Sequence, residues 1–200
     1  MRTVDPVKHA ARRGRILESA AACFAEKGFH ATRTADISAR AGMSPGNLFH
    51  YFPTKHAIVL ALIEKEGADT AAHLAELAAA DDPLAALFTL VDTAAELAAD
   101  PAYASLTLST ASEAQRDEAV AALLSRNDLE LRTAIAGLLR RAADAGRVDP
   151  DLAPEAAATW VAAQFDALFA RVATDPGFAP LDQAPLLRLL LTRFLAVREA

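Results

Sequence analysis

The sequence predicts an all-α protein, and three observations carry that prediction. Alanine fills 50 of the 200 positions, and alanine is the strongest helix former and a poor strand residue. Apolar residues recur at helical spacing along almost the whole chain, as in Ile16, Leu17, Ala20, Phe24 and in Val161, Phe165, Leu168, Phe169, Val172. No segment alternates with period two over a useful length, and no repeat of 20–50 residues is present.

About nine helices follow, over roughly 7–27, 34–41, 45–51, 54–80, 83–99, 101–114, 117–145, 154–174 and 183–198. The first closes on Lys27-Gly28, a cationic last turn followed by a residue free to take positive φ. Thr34 is placed to cap the second, and Ser44-Pro45 to open the third as cap and first helical residue. Ile58 and Leu62 mark the fourth, and Leu84, Leu87 and Val91 the fifth. Asp-Pro at 82–83 and 100–101 reads as two helix starts, whereas 149–150 and 175–176 read as loops. Val120, Leu123, Leu124, Leu131, Ile135, Leu138 and Leu139 stripe the seventh helix, and Leu187, Leu190, Leu191 and Phe194 the last.

At 21.1 kDa the chain is long enough for one domain or for a small head on a larger body. A chain of this size buries roughly 70% of its unfolded surface and needs no covalent staples. Its 53% hydrophobic and 23% charged residues exclude a disordered chain. The single cysteine, Cys23, excludes intramolecular disulfides and Cys-based zinc sites and fits a reducing cytoplasm. It falls on the stripe of the first helix and reads as a small buried hydrophobe. No signal peptide is read at the amino terminus, and Arg188 and Arg193 interrupt the longest apolar stretch, Pro185–Val197, so no membrane partner is expected. His9, His30, His50, His56 and His73 form no i,i+4 pair with ligand spacing, so neither metal nor cofactor is expected. No nucleophile–base arrangement, phosphate loop or paired carboxylates with a credible site is present, which argues against an enzyme.

Charge divides the chain. Residues 1–56 carry nine Lys or Arg against four Asp or Glu, a net of +5, whereas 57–200 carry eleven against twenty-two, a net of −11. A pI near 5.3 thus averages a basic head and an acidic body.

Within the head, Thr34–Ala41 and Pro45–Tyr51 are two short helices joined by Gly42-Met43-Ser44. Two short helices joined by a Gly-containing turn in a basic segment match a helix-turn-helix. Such a motif lays the first residues of its second helix against base edges in the major groove. Those residues are Ser44, Pro45, Gly46 and Asn47, with His50 and Tyr51 further along. Gly46 allows close backbone approach, the Asn47 amide has the groups to pair with adenine, and Pro45 is limited to apolar contact. Leu48, Phe52, Ile37 and Met43 read as core.

The stretch R-x-x-I-L-E-S-A-x-x-x-F-A-E-K-G-F-H-A-T-R-T-A-D-I-S-A-R-A-G-M-S-P-G-N-L-F-H-Y-F-P-T-K, from Arg13 to Lys55, resembles the N-terminal domain of the TetR family of bacterial transcriptional regulators. The resemblance implies a homodimeric, all-helical, one-component regulator with three DNA-binding helices and a body holding an inducer pocket and a dimer interface. It implies phosphate contacts from Thr34, Phe49, Tyr51 and Lys55, and base contacts near Arg33, Pro45, Gly46 and His50. The family usually has tyrosine where this chain has Phe49, so a phosphate-bonding hydroxyl is missing here. The segment Glu113–Phe178 is similar to the C-terminal domain of the BetI-like branch, which implies that helices 117–145 and 154–174 pair with their copies across a two-fold axis.

Residues 1–53 are therefore expected to form the DNA-binding domain and 54–200 the ligand-binding and dimerisation domain, with Thr54 beginning a helix that joins them almost without linker. Trp160, Phe165, Leu168, Phe169 and Val172 supply a stripe suited to a seam between copies. Tyr103, Thr107, Thr110, Asn127 and Gln164, with Trp160 nearby, are polar groups in apolar runs that could orient a small-molecule ligand. Alternatively they bond the backbone or face solvent. The function expected is a ligand-responsive repressor that binds a near-palindromic double-stranded operator as a dimer and is released by an inducer. The alternative is a small-molecule sensor or carrier with a weakened head, for which Phe49 and Pro45 are the support.

Overall fold

The computed structural model describes residues 5–198. The described residues form nine helices: α1 (Pro6–Ala31), α2 (Thr34–Arg40), α3 (Pro45–Tyr51), α4 (Lys55–Ala78), α5 (Pro83–Ala99), α6 (Pro101–Glu113), α7 (Glu118–Asp144), α8 (Pro154–Thr174) and α9 (Pro180–Phe194). None is long and apolar enough to cross a membrane. The all-α reading holds.

Capping chemistry sets most of the starts. Asp5, Asp82, Asp100 and Asp117 each accept from two backbone N–H groups of the helix that follows, and the first three precede a proline at the first helical position. Ser44 accepts from Asn47 N at 3.3 Å, and Thr54 from Ala57 N at 3.0 Å.

Several boundaries differ from the sequence reading, among them the end of α9, at Phe194 rather than 198. α1 continues to Ala31 across a break at Gly28, where φ of 74° demands glycine. The cap of α2 is not Thr34: Arg33 takes the extended cap conformation, and the Asp36 carboxylate accepts its N–H at 2.8 Å. Asp36 also receives the Lys27 ammonium at 2.9 Å, which ties α2 to α1. α9 begins early, at Pro180, and carries Pro185 within it. As the sixth residue of α9, Pro185 forgoes the single N–H bond that would have reached back to Leu181 O.

Two cores are present. The smaller gathers Ile16, Ala20, Phe24, Ile37, Leu48 and Phe52 from α1–α3 and the residue after them, but also Ile58, Val59, Leu62 and Ile63 of α4 and Val120 of α7. The larger is built by α5, α7, α8 and α9, with Leu74 from the far end of α4. A division at 53/54 therefore cuts through the head's core, because five of its buried residues lie beyond residue 53.

The helices expected to pair with their copies, α7 and α8, pack on each other inside one protomer. Phe165 and Leu168, expected on a seam between copies, are buried within the protomer core at 6% and 5% exposure, and Phe169 and Val172 are half-buried. Only Trp160 of that stripe stands well clear, at 64%. The free apolar surface lies instead on α9, at Leu186, Leu189, Leu190 and Phe194.

Candidate nucleic-acid interface

The α2–turn–α3 unit is held from within. Ile37, Leu48 and Phe52 are fully or almost fully buried. Met43 is half-buried against the same cluster, and its N–H donates to Ser38 O at 2.9 Å. Gly42, at φ 67°, makes the turn. With Leu48 and Phe52 anchored, helical periodicity turns the rest of α3 outward. Ser44, Pro45, Gly46, Phe49 and His50 are exposed, Asn47 and Tyr51 are half-buried, and Arg33 is exposed at the start of α2 beside half-buried Thr34. The residues expected to read DNA are thus brought to one end of the head, apart from Lys55.

Lys55 does something else. Its ammonium donates to the carbonyls of Phe29 at 2.7 Å, Thr32 at 3.0 Å and His30 at 3.4 Å. Those carbonyls end α1, so the lysine clasps α4 to the negative end of that helix. Its ammonium thus has three carbonyl partners within the protein.

The structure adds two residues that the sequence did not single out for this face. The His9 imidazole lies against the Tyr51 ring at 4.8 Å, and His50 meets the same ring edge-on at 5.4 Å. Arg13 stacks over Phe52 at 4.2 Å and donates to Tyr51 O at 3.1 Å across a separation of 38 residues. Tyr51 is therefore held between two imidazoles while its backbone is pinned by a guanidinium. Their signal is tertiary; no local spacing announces it.

Gly46 shares its status with Gly14 and Gly137. Its φ is not positive, and a Cβ placed there would meet nothing within 4 Å. The fold itself does not require glycine at this position.

In the body none of the six expected ligand contacts lines the α4–α7 groove or the concavity beside Arg141 and Arg147. The Thr107 and Thr110 hydroxyls donate to carbonyls one turn back, Tyr103 O at 2.9 Å and Leu106 O at 2.8 Å, so they serve their own helix. Trp160 faces outward and Gln164 is half-buried. Tyr103 packs at 6.1 Å from Phe169, and its phenol is pushed up to about 12, by burial first and then by the carboxylates of Glu66 and Asp69. Burial likewise pushes the Glu66 carboxyl up. Asn127 lies where α7 crosses α4 at Gly67, and its Oδ1 is buried without a hydrogen-bond partner. An open apolar groove of about 450 Å³ lies between α4 and α7, lined by Ala71, Leu74, Ala78, Leu129 and Ala134, and by none of the six. No group of three or more His, Cys, Asp or Glu that could hold a metal is found among the described residues.

Comparison with known proteins agrees with this architecture. Residues 16–62 match the family described as bacterial regulatory proteins, tetR family, and residues 83–196 match the BetI-type transcriptional repressor C-terminal domain. The chain is 30% identical over 178 residues to the HTH-type transcriptional repressor Rv1474c of Mycobacterium tuberculosis (strain ATCC 25618 / H37Rv), covering 84% of this chain and 86% of that protein. Among solved structures it resembles Salmonella enterica GusR, with 26% identity, a TM-score of 0.78 and coverage of 98% and 100% of the two chains. It also resembles a transcriptional regulator of Saccharomonospora viridis in complex with choline, with 25% identity, a TM-score of 0.80 and coverage of 95% and 100%. With a helix-turn-helix at one end, a helical body at the other and both halves matched, the chain belongs to the tetR family of bacterial DNA-binding transcription regulators.

Proposed function

We propose that this regulator is a cytoplasmic repressor that grips a near-palindromic operator as a homodimer and lets go when a small molecule enters its body. It acts by binding and performs no catalysis. The observation that carries the reading is the amphipathic division of α3: Leu48 is locked into the core, while Ser44, Gly46, Phe49 and His50 are presented outward from a basic head. In this reading Arg33, Thr34, Ser44, Pro45, Gly46, Asn47, Phe49, His50 and Tyr51 meet the duplex. Phe49, at 45% exposure and without a hydroxyl, offers its ring to a sugar or a thymine methyl.

The homodimer is supported by the outward stripe on α9, where Leu186, Leu189, Leu190 and Phe194 recur at helical spacing next to α8 and its Trp160. An unpartnered apolar stripe of this kind is suited to a self-complementary two-fold contact. Sedimentation of Leu190→Glu/Phe194→Glu as a monomer, against a dimeric parent, tests this interface. The small-molecule arm is supported by the likeness to the Saccharomonospora viridis regulator, whose structure is in complex with choline.

The primary test is in vitro selection of duplexes by the purified protein. The expected outcome is an inverted repeat with half-sites one helical turn, about 34–36 Å, or a multiple of it apart. Affinity should fall steeply with salt, because phosphate contacts release counterions. Selection that enriches no motif would sink the reading.

A further inference from the structure

The corner between α6 and α7 touches the head through two histidine–carboxylate pairs. Glu113, the last residue of α6, places Oε2 at 3.1 Å from Nε2 of His30. Asp117, the cap of α7, places Oδ2 at 2.6 Å from Nε2 of His56. His30 stands at the end of α1 beyond the Gly28 break, and His56 in the first turn of α4. Between them runs the Lys55 clasp that joins those two elements. A further contact lies along α6, where Ser105 Oγ donates to Ala25 O at 3.1 Å. One corner of the body thus bridges the junction of α1 with α4.

The two sides of each pair differ. The carboxylates are about four-fifths covered, whereas both imidazoles are more than half exposed. Asp117 is held below the usual carboxylate range by the Val120 N–H and, less strongly, by His56. Each contact is a full ion pair only when its imidazole is protonated, and histidine is the side chain suited to that change. Other charged groups around the joint are committed elsewhere: Glu26 to Arg40 at 2.7 Å, Lys27 to Asp36 at 2.9 Å, and Lys55 to carbonyls. Arg116 and Glu118 flank Asp117 on the corner itself.

We propose that Glu113 and Asp117 are positioning residues which, through His30 and His56, set the angle at which the body presents its DNA-reading head, and so the half-site spacing the dimer accepts. This rests on the dimeric DNA-binding reading above. Acidification completes both ion pairs and stiffens the joint. Raising the pH loosens it and relaxes the spacing requirement.

The test uses the full chain, a duplex selected on it, and two duplexes with half-sites moved by one base pair in either direction. Affinities are measured at pH 6 and pH 8 at constant ionic strength. Preference for the parent spacing should fall by about fivefold between the two pH values, the scale of two solvent-screened pairs acting together. The variants Glu113→Gln/Asp117→Asn and His30→Gln/His56→Gln should show the weaker preference at both. Asparagine keeps the cap of α7, so the first variant retains the helix start. His9 and His50 lie at the reading face and meet all three duplexes alike, so the ratio is blind to them. A preference unchanged in the variants, with only thermal stability altered, overturns the proposal. A DNA-independent measurement accompanies it: at pH 6, amide exchange over residues 28–33 should be faster in both variants, and equal exchange also overturns it. Faster exchange together with a failure to select any duplex would instead remove the DNA-binding reading and leave the joint intact.

Discussion

Gly46→Ala separates what the fold needs from what DNA contact needs. The added methyl meets no atom within 4 Å and no left-handed backbone stands in its way. Gly46 lies in the first turn of α3, where alanine is the better helix former. The free protein should therefore gain about 0.4–1 kcal/mol, mostly by losing conformations in the unfolded chain. On DNA the balance reverses if α3 seats its first residues against the groove. A Cβ interposed between backbone and base edge forces the helix outward and weakens contacts worth about 1–3 kcal/mol. That corresponds to about 5- to 150-fold in affinity. Thermal unfolding and fluorescence anisotropy on the selected duplex read the two effects separately. Raised melting temperature with weakened binding is the expected pair of results. Unchanged affinity would refute the seating of Ser44–Asn47 on DNA, and a lowered melting temperature would refute the open space around Gly46.

Lys55→Gln should destabilise the protein by about 1.5–3 kcal/mol, the scale of hydrogen bonds from a charged donor, and leave the slope of log affinity against log salt unchanged. A slope flattened by about one unit would return Lys55 to the phosphates. Gly67→Ala would put a Cβ 2.5 Å from Asn127 Oδ1, a clash that should cost about 1–3 kcal/mol. The Gly67→Ala/Asn127→Ala double variant should recover most of it, and simple additivity in denaturant titrations would argue against the contact. Glu66→Gln carries a pH signature. Burial raises the folded-state affinity of Glu66 for its proton, so the ionised carboxylate opposes folding at neutral pH and the opposition fades as the pH falls through the carboxylate range. The variant should melt higher than the parent at pH 7 and alike near pH 4; a constant offset would contradict the burial.

Local rules carried the helix boundaries a long way. Asp82-Pro83 and Asp100-Pro101 start α5 and α6 as an aspartate cap before a fixed-φ residue should, and Ser44-Pro45 starts α3. The helix-turn-helix was legible because its signal, Gly42 between two short amphipathic runs, lies within a few residues. Thr34 shows where this stops working: it was a competent cap, but Asp36 satisfied the preceding N–H and moved the start by one residue. Lys55 in a basic segment reads as a phosphate ligand until the chain end of α1 folds back beneath it. Phe165 and Leu168 show the same limit in the body. Periodicity identifies an apolar face, yet it does not say whether a neighbouring helix or a second molecule covers it. The histidine pairs at Glu113 and Asp117 join distant segments, and no spacing in the sequence encodes them.

The shared hydrophobic floor beneath the reading helices has a practical consequence. Of the fourteen buried residues in that cluster, Ile58, Val59, Leu62, Ile63 and Val120 are contributed from beyond residue 53. An amino-terminal fragment ending there would expose the undersides of Phe24 and Phe52 and should not hold its shape, and calorimetry of the intact chain should record one melting event rather than two. A chimera that grafts this specificity onto another sensor would have to carry the first two turns of α4, together with a side chain that takes the place of Val120. Exchanging the leading segment by itself would leave the transplant without its foundation.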